Sequence, residues 1–142
     1  MSARTKSRKR ALDILYGADV RQVPIAAMLE EEAGRAAQQP ERQSSWPYAR
    51  EIVEGVHMHL GDIDAAITAH AQGWPLERMP ALDRALARIA TWEILFNPEV
   101  PDALAIAEAV EQATLLSTDD SAGFLNGLLG GIMRGKDRQP GS

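Results

Sequence analysis

Five basic side chains, Arg4, Lys6, Arg8, Lys9 and Arg10, stand within the first ten residues with no acidic residue among them. Lysine and arginine at that density neutralise phosphates, so the chemistry this segment suits is binding of single-stranded RNA, with an affinity that falls steeply with salt. If all five contact phosphates, the slope of log affinity against log salt is about −3.5, and a fourfold rise in salt costs roughly a hundredfold in affinity. The plain alternative is a solvated, disordered tail. Arginine also stacks on bases, and Phe124 or Tyr16 can supply an aromatic platform, although both stand at positions that suit a core equally well.

Other constellations carry less chemistry. His57 and His59 are two residues apart and diverge by about 160° on a helix, while His70 lies on the next helix, so no metal site is expected. Glu108 and Glu111 share a helical face at i, i+3, a spacing that acid and base work can use. No nucleophile, glycine-rich phosphate loop or histidine accompanies them, so a solvated face or an interhelical ion pair with Arg88 is the expectation. Arg84 and Arg88 share a face of one helix, and for Arg88 a structural ion pair is placed ahead of RNA contact. The absence of cysteine removes thiolate chemistry and disulfides. Neither a catalytic residue nor a cofactor is expected.

The charge that surrounds these residues is uneven. The whole chain of 142 residues carries −5, so the 132 residues after the basic start carry −10. An acidic body with one basic segment repels nucleic acid over most of its surface and holds it at one place, and its acidic faces suit a basic protein partner. At 45% hydrophobic and 25% charged the composition is that of a soluble globular protein. No apolar run approaches the roughly 20 residues of a membrane span, and no apolar signal segment follows the basic start, so a cytoplasmic protein is expected.

Apolar residues recur at three and four throughout and β-branched runs of period two are missing, which predicts an all-α fold of about seven helices in two packed subdomains. The first helix is placed from Ser7 to Asp19 behind a basic arm at residues 1–10. A second starts at Pro24, with Ile25, Met28 and Leu29 inward. Residues 34–45 read as a mobile loop. Ser45 or Trp46 closes the N-terminal end of a third helix, which has Pro47 in its first turn, carries Ile52, Val53, Val56 and Leu60 on its stripe, and breaks at Gly61; a fourth runs from Asp62 to near Gly73.

Residues 11–73 make the expected N-terminal subdomain and residues 74–134 the C-terminal one. Residues 81–96 read as a central helix because Leu82, Leu86, Ile89, Ala90, Ile94 and Leu95 cover most of its circumference. Asn97-Pro98 stops it. Pro101 and Asp102 open a sixth helix with Ala103, Ile106, Ala107, Val110 and Ala113 inward. Thr118 caps the last, with Asp119 and Asp120 in its first turn and Phe124, Leu125, Leu128, Leu129, Ile132 and Met133 on its apolar face. Residues 135–142 read as a disordered tail. Gly123, Gly127, Gly130 and Gly131 together cost that last helix roughly 3 to 4 kcal/mol relative to alanine. Two explanations stand: close packing against another helix, or approach of a partner or RNA backbone to the glycine face.

Three segments in order resemble one family: Arg-Lys-Arg-Ala-Leu-Asp-Ile-Leu-Tyr at 8–16, Asp-Arg-Ala-Leu-Ala-Arg-Ile-Ala-Thr-Trp-Glu at 83–93, and Phe-Leu-Asn-Gly-Leu-Leu at 124–129. By these the chain is similar to the bacterial NusB family of transcription antitermination factors, with residues 20–75 matching in helical pattern alone. The resemblance implies two packed helical subdomains and no enzymatic activity. It implies binding to the boxA element of ribosomal RNA leaders together with NusE, a ribosomal protein. The pair then joins the elongating RNA polymerase complex with other Nus factors and promotes read-through.

The implied RNA contacts are Arg4, Lys6, Arg8, Lys9, Arg10 and Phe124; the implied NusE contacts are Tyr16, Asp83, Glu77 and, beside the shared interface, Asp120. The family commonly has Ile-Asn-Glu-Ala at 106–109, lysine at 114 and a basic residue at 123, where this chain has Ala107, Thr114 and Gly123. Each departure removes a polar or positive group on the implied RNA side, and weak RNA affinity for the protein alone is the expectation. Two other readings are a helical dimerisation module, with a homodimer as partner, and a unit related to the RNA-recruiting domain of a ribosomal RNA cytosine methyltransferase. The expected lack of a cofactor-binding domain in this chain speaks against the second.

Overall fold

A serine is what lets the first helix begin earlier than its apolar stripe. In the computed structural model, which describes residues 2–137, the Ser2 hydroxyl accepts the Thr5 backbone N–H at 3.0 Å and caps α1, Ala3–Arg21. The basic segment is therefore helical from residue 3 onward rather than an arm ahead of a helix at Ser7. Gln22 ends α1 with a left-handed φ of 56°, and the Val23 N–H reaches back to the Ala18 carbonyl at 3.0 Å.

Pro24 then opens α2, Ile25–Gln38, followed by a 3-10 turn at Pro40–Arg42 and α3, Trp46–Met58. The expected mobile loop at 34–45 is thus mostly ordered. α2 continues past Gly34 because Ala36 is buried, and the Ser45 carbonyl lies 2.7 Å from the buried Ser7 hydroxyl.

These three helices form one compact unit, Met1–Met58. Ala11, Leu12, Ile14, Leu15 and Ala18 of α1 face Tyr48, Ala49, Ile52, Val53 and Val56 of α3, each set spaced at three and four. α1 also runs close to α2 at Gly17, where an added Cβ would lie 2.8 Å from the Met28 methyl.

The second unit, His59–Ser142, holds α4, Leu60–His70; a 3-10 turn, Leu76–Arg78; α5, Ala81–Phe96; α6, Asp102–Leu116; and α7, Asp119–Asp137. The division falls after Met58, whereas the sequence reading places it after residue 73; α4 packs on α5 and α7 and so belongs with them. Leu60, expected on the third helix, starts α4, and Gly61 lies inside it.

α5 is the central helix of this unit, touching α4, α6 and α7 and buried from Asp83 through Ile94 at all but Arg84 and Arg88. α6 presents Ala105, Ile106, Ala109, Gln112 and Ala113 inward, while Ala103 and Ala107 are exposed. That is a rotation of the expected stripe, imposed because α6 packs against both α5 and α7. The Thr118 hydroxyl accepts the Ser121 N–H at 3.0 Å and caps α7 as expected.

α7 extends through residues 135–137, which the sequence reading assigns to a disordered tail. The Lys136 ammonium holds it by donating to the Ile94 carbonyl at 3.0 Å and to the Asp102 carboxylate at 2.8 Å. The rest of that tail, 138–142, lies outside the described residues. Among the described residues there is no strand, and no helix is long and apolar enough to cross a membrane.

Candidate nucleic-acid interface

The five cations of α1 do not share one face, because 100° per residue spreads them around the helix. Arg4 and Arg8 are one turn apart and both meet the Tyr48 ring on α3, their guanidinium carbons 4.5 and 5.8 Å from its centroid. Arg8 is only 5% exposed and is a structural cation of the first unit, which removes it from the implied phosphate contacts. Lys6 is exposed, and Arg4, Lys9 and Arg10 are partly so. With four cations the salt slope falls from about −3.5 to about −2.8. Burial, together with the like charge of Arg42, lowers the Arg10 pKa from its ordinary value. Tyr48 and Arg42 carry no signal of their own in the sequence; the packing of α3 against α1, and a cleft shared by Arg42 and Arg10, bring out their part.

Tyr16 is 41% exposed on α1 and stands one turn before Val20, also exposed, so an aromatic and an aliphatic group face solvent together. Glu77 is exposed in the 3-10 turn and Asp120 in the first turn of α7. Asp83 differs. It is 0% exposed, and its carboxylate accepts hydrogen bonds from the hydroxyls of Ser121 at 2.7 Å and Ser117 at 3.2 Å. A side chain so enclosed cannot meet a partner, so the expected contact at Asp83 is replaced by a structural role: it holds the α6–α7 turn, and Asp120 with it, against α5.

A second candidate surface lies on α7. Phe124 is half-buried and meets Trp74 edge to face, ring centroids 4.6 Å apart at 73°. Both border an open cleft of about 510 Å3 with His70, Gln72, Gly123 and Arg134 on its walls. Four of the five glycines of α7 divide into two groups, while at the fifth, Gly130, an added Cβ would lie 3.1 Å from the flexible end of Arg134. Gly131 and Gly135 face His70, where an added Cβ would come within 3.0 and 3.1 Å of the ring. Gly123 and Gly127 face open space at the cleft. Close helix packing accounts for the first group only.

Arg88, Arg84 and His59 have structural partners. Arg88 forms a two-pronged pair with Asp64 of α4 at 2.9 and 3.0 Å, so its partner is neither Glu108 nor Glu111. Arg84 donates to the carbonyls of Leu76 and Met79 and fastens the 3-10 turn to α5. His59 stacks on Phe96 at 3.9 Å. No three histidine, aspartate or glutamate side chains gather into a metal site among the described residues.

The family model described as NusB family matches residues 5–134. The chain belongs to the NusB family. That family is one of non-catalytic transcription antitermination proteins. This NusB-family chain is 62% identical to the transcription antitermination protein NusB of Leifsonia xyli over 97% of its own length and 96% of that protein's. It is 58% identical to that of Clavibacter sepedonicus, over 93% and 96%.

The NusB fold is shared with the solved structure of T. maritima NusB at a TM-score of 0.80 and 28% identity, over 92% and 90% of the two chains. It is shared also with a chain in a crystal structure of antitermination factors NusB and NusE in complex with dsRNA, at a TM-score of 0.81 and 21% identity, over 95% and 98%.

Proposed function

We propose that the protein binds the boxA element of ribosomal RNA leaders jointly with NusE in the cytoplasm, and that the pair joins the elongating RNA polymerase with other Nus factors to promote read-through. The observation that carries the RNA part is the set of solvent-reaching cations on α1, Arg4, Lys6, Lys9 and Arg10, on a chain that is otherwise acidic. Phe124 and Trp74 add an aromatic edge beside an open, glycine-walled cleft, a surface on which an unstacked base can rest. The fold neighbour crystallised with NusE and double-stranded RNA supports the same partners. Tyr16, Glu77 and Asp120 are the exposed groups assigned to the basic ribosomal protein.

Two weak surfaces on separate proteins become one stronger surface when the proteins pair, so NusE raises the RNA affinity of this chain. Fluorescence anisotropy of labelled boxA RNA, single-stranded and double-stranded, with and without NusE at two salt concentrations, tests the reading. Binding that strengthens with NusE and weakens with salt is expected. Failure of the protein both to bind RNA and to associate with NusE rejects it.

A further inference from the structure

The 3-10 turn Pro40–Arg42 belongs to no element of the function so far, yet it closes a cleft of about 340 Å3 whose polar walls are Lys9, Arg10, Asp13, Glu32, Arg35 and Arg42. Four cations face two carboxylates there. Arg35 is already committed, pairing with Glu31 at 2.8 Å and with Glu32. Arg42 reaches Glu32 only at 3.5 Å. The Arg10 Nη1 atom is buried and has no hydrogen-bond partner. A guanidinium N–H removed from water without an acceptor is unfavourable, and Arg42 nearby adds a repulsion that Glu32, Asp13 and Glu41 oppose; an oxyanion between the two guanidinium groups relieves both the burial and the repulsion.

We propose that this cleft binds a phosphate oxyanion held between the guanidinium groups of Arg10 and Arg42, with Lys9 at its rim. If the phosphate comes from an RNA backbone, the inference rests on the RNA-binding reading above; if it is a free phosphate, it does not. Arg42 then extends the cationic face from α1 to the turn between α2 and α3, and it is a contact that the basic run at the start of the chain does not contain.

The test titrates inorganic phosphate into the 15N-labelled full-length protein and follows the arginine Nε–Hε signals. Saturable shifts at Arg10 and Arg42 are expected, lost in Arg10→Gln, weakened in Arg42→Gln and retained in Arg42→Lys, with circular dichroism confirming equal helicity. A response that never saturates, or one unaffected by both glutamine variants, overturns the proposal.

A second arm measures single-stranded RNA binding against salt, where Arg42→Gln is expected to make the log–log slope shallower by about 0.7. An unchanged slope with saturable phosphate binding overturns the RNA source and leaves a free-phosphate site. Saturable phosphate binding by a wild-type protein that binds no RNA overturns the proposed function while the oxyanion site stands.

Discussion

Asp83 on α5 accepts a hydrogen bond from the Ser121 hydroxyl on α7 at 2.7 Å, with neither residue more than 9% exposed. The pair fixes the first turn of α7 to the central helix, and that first turn carries Asp120 and leads into Phe124. A buried carboxylate with two hydroxyl donors is costly to disturb. Asp83→Ala leaves the buried Ser121 hydroxyl without its carboxylate acceptor, while Ser117 keeps only the Ser121 oxygen, and is expected to destabilise the protein by about 1 to 3 kcal/mol. Asp83→Lys buries an unpaired charge and costs about 3 to 5 kcal/mol. Asp120→Lys, at an exposed position, is expected to keep the wild-type melting temperature while weakening NusE binding. Melting curves measured beside NusE affinity separate the two; a fully stable Asp83→Lys protein contradicts the structural role.

Arg8 and Lys6, assigned alike to RNA by the sequence, differ in the fold: Arg8 is buried and Lys6 is exposed. Arg8→Ala removes a buried cation from the Tyr48 ring and is expected to lower stability by about 1 to 2 kcal/mol with little change in the RNA salt slope. Lys6→Ala is expected to leave stability within about 0.5 kcal/mol and to make the slope shallower by about 0.7. Urea denaturation and salt-dependent anisotropy on both variants check the pair, and equal slope changes would contradict the division.

The α7 glycines offer opposite outcomes from one substitution. Gly123→Ala and Gly127→Ala meet open space, so each is expected to stabilise the protein by about 0.8 to 1 kcal/mol. Gly131→Ala brings a methyl within 3.0 Å of the His70 ring and is expected to gain nothing or to destabilise. If Gly127→Ala stabilises the fold and yet weakens RNA binding, close approach of RNA to that face is the cause.

Asp13 gives a pH signature. Burial raises its pKa from the ordinary 3.8, reinforced by Glu32 and partly offset by Arg10 and Arg42. The folded state therefore holds this proton to higher pH than the unfolded chain. The contribution is most favourable with the proton bound in both states, and it is lost as pH rises from about 3.8 through the folded value. Asp13→Asn is expected to remove that component, so its stability relative to wild type grows across the same window. Urea midpoints at pH 4 to 7 check this; a difference constant with pH would contradict the shift.

Lys136 is the last described anchor of α7. Lys136→Met leaves the Asp102 carboxylate and Ile94 carbonyl without their donor, and a loss of about 1 kcal/mol with faster amide exchange confined to the end of α7 is expected. Uniform exchange along α7 would count against a local clamp.

Local chemistry was legible in the chain. Periodicity and breakers placed α5 at residues 81–96, Pro101-Asp102 marked the start of α6 and Thr118 the cap of α7, because these depend on neighbours within one turn. The family was legible too, since motif order is a property of the chain. What a sequence cannot hold is which face of a helix another helix covers. Arg8 and Lys6 are alike as letters, but α3 covers one and leaves the other in water; Asp83 resembles Asp120 until the α6–α7 turn folds over it. Gly131 and Gly127 differ only in that His70 stands against the first. Arg42 gained its place opposite Arg10 from a turn that read as loop. The sequence determined that the chain is helical, where α5, α6 and α7 begin, and the charge the helices carry; tertiary packing alone decided which charges were withdrawn from solvent to build the fold and which remained exposed.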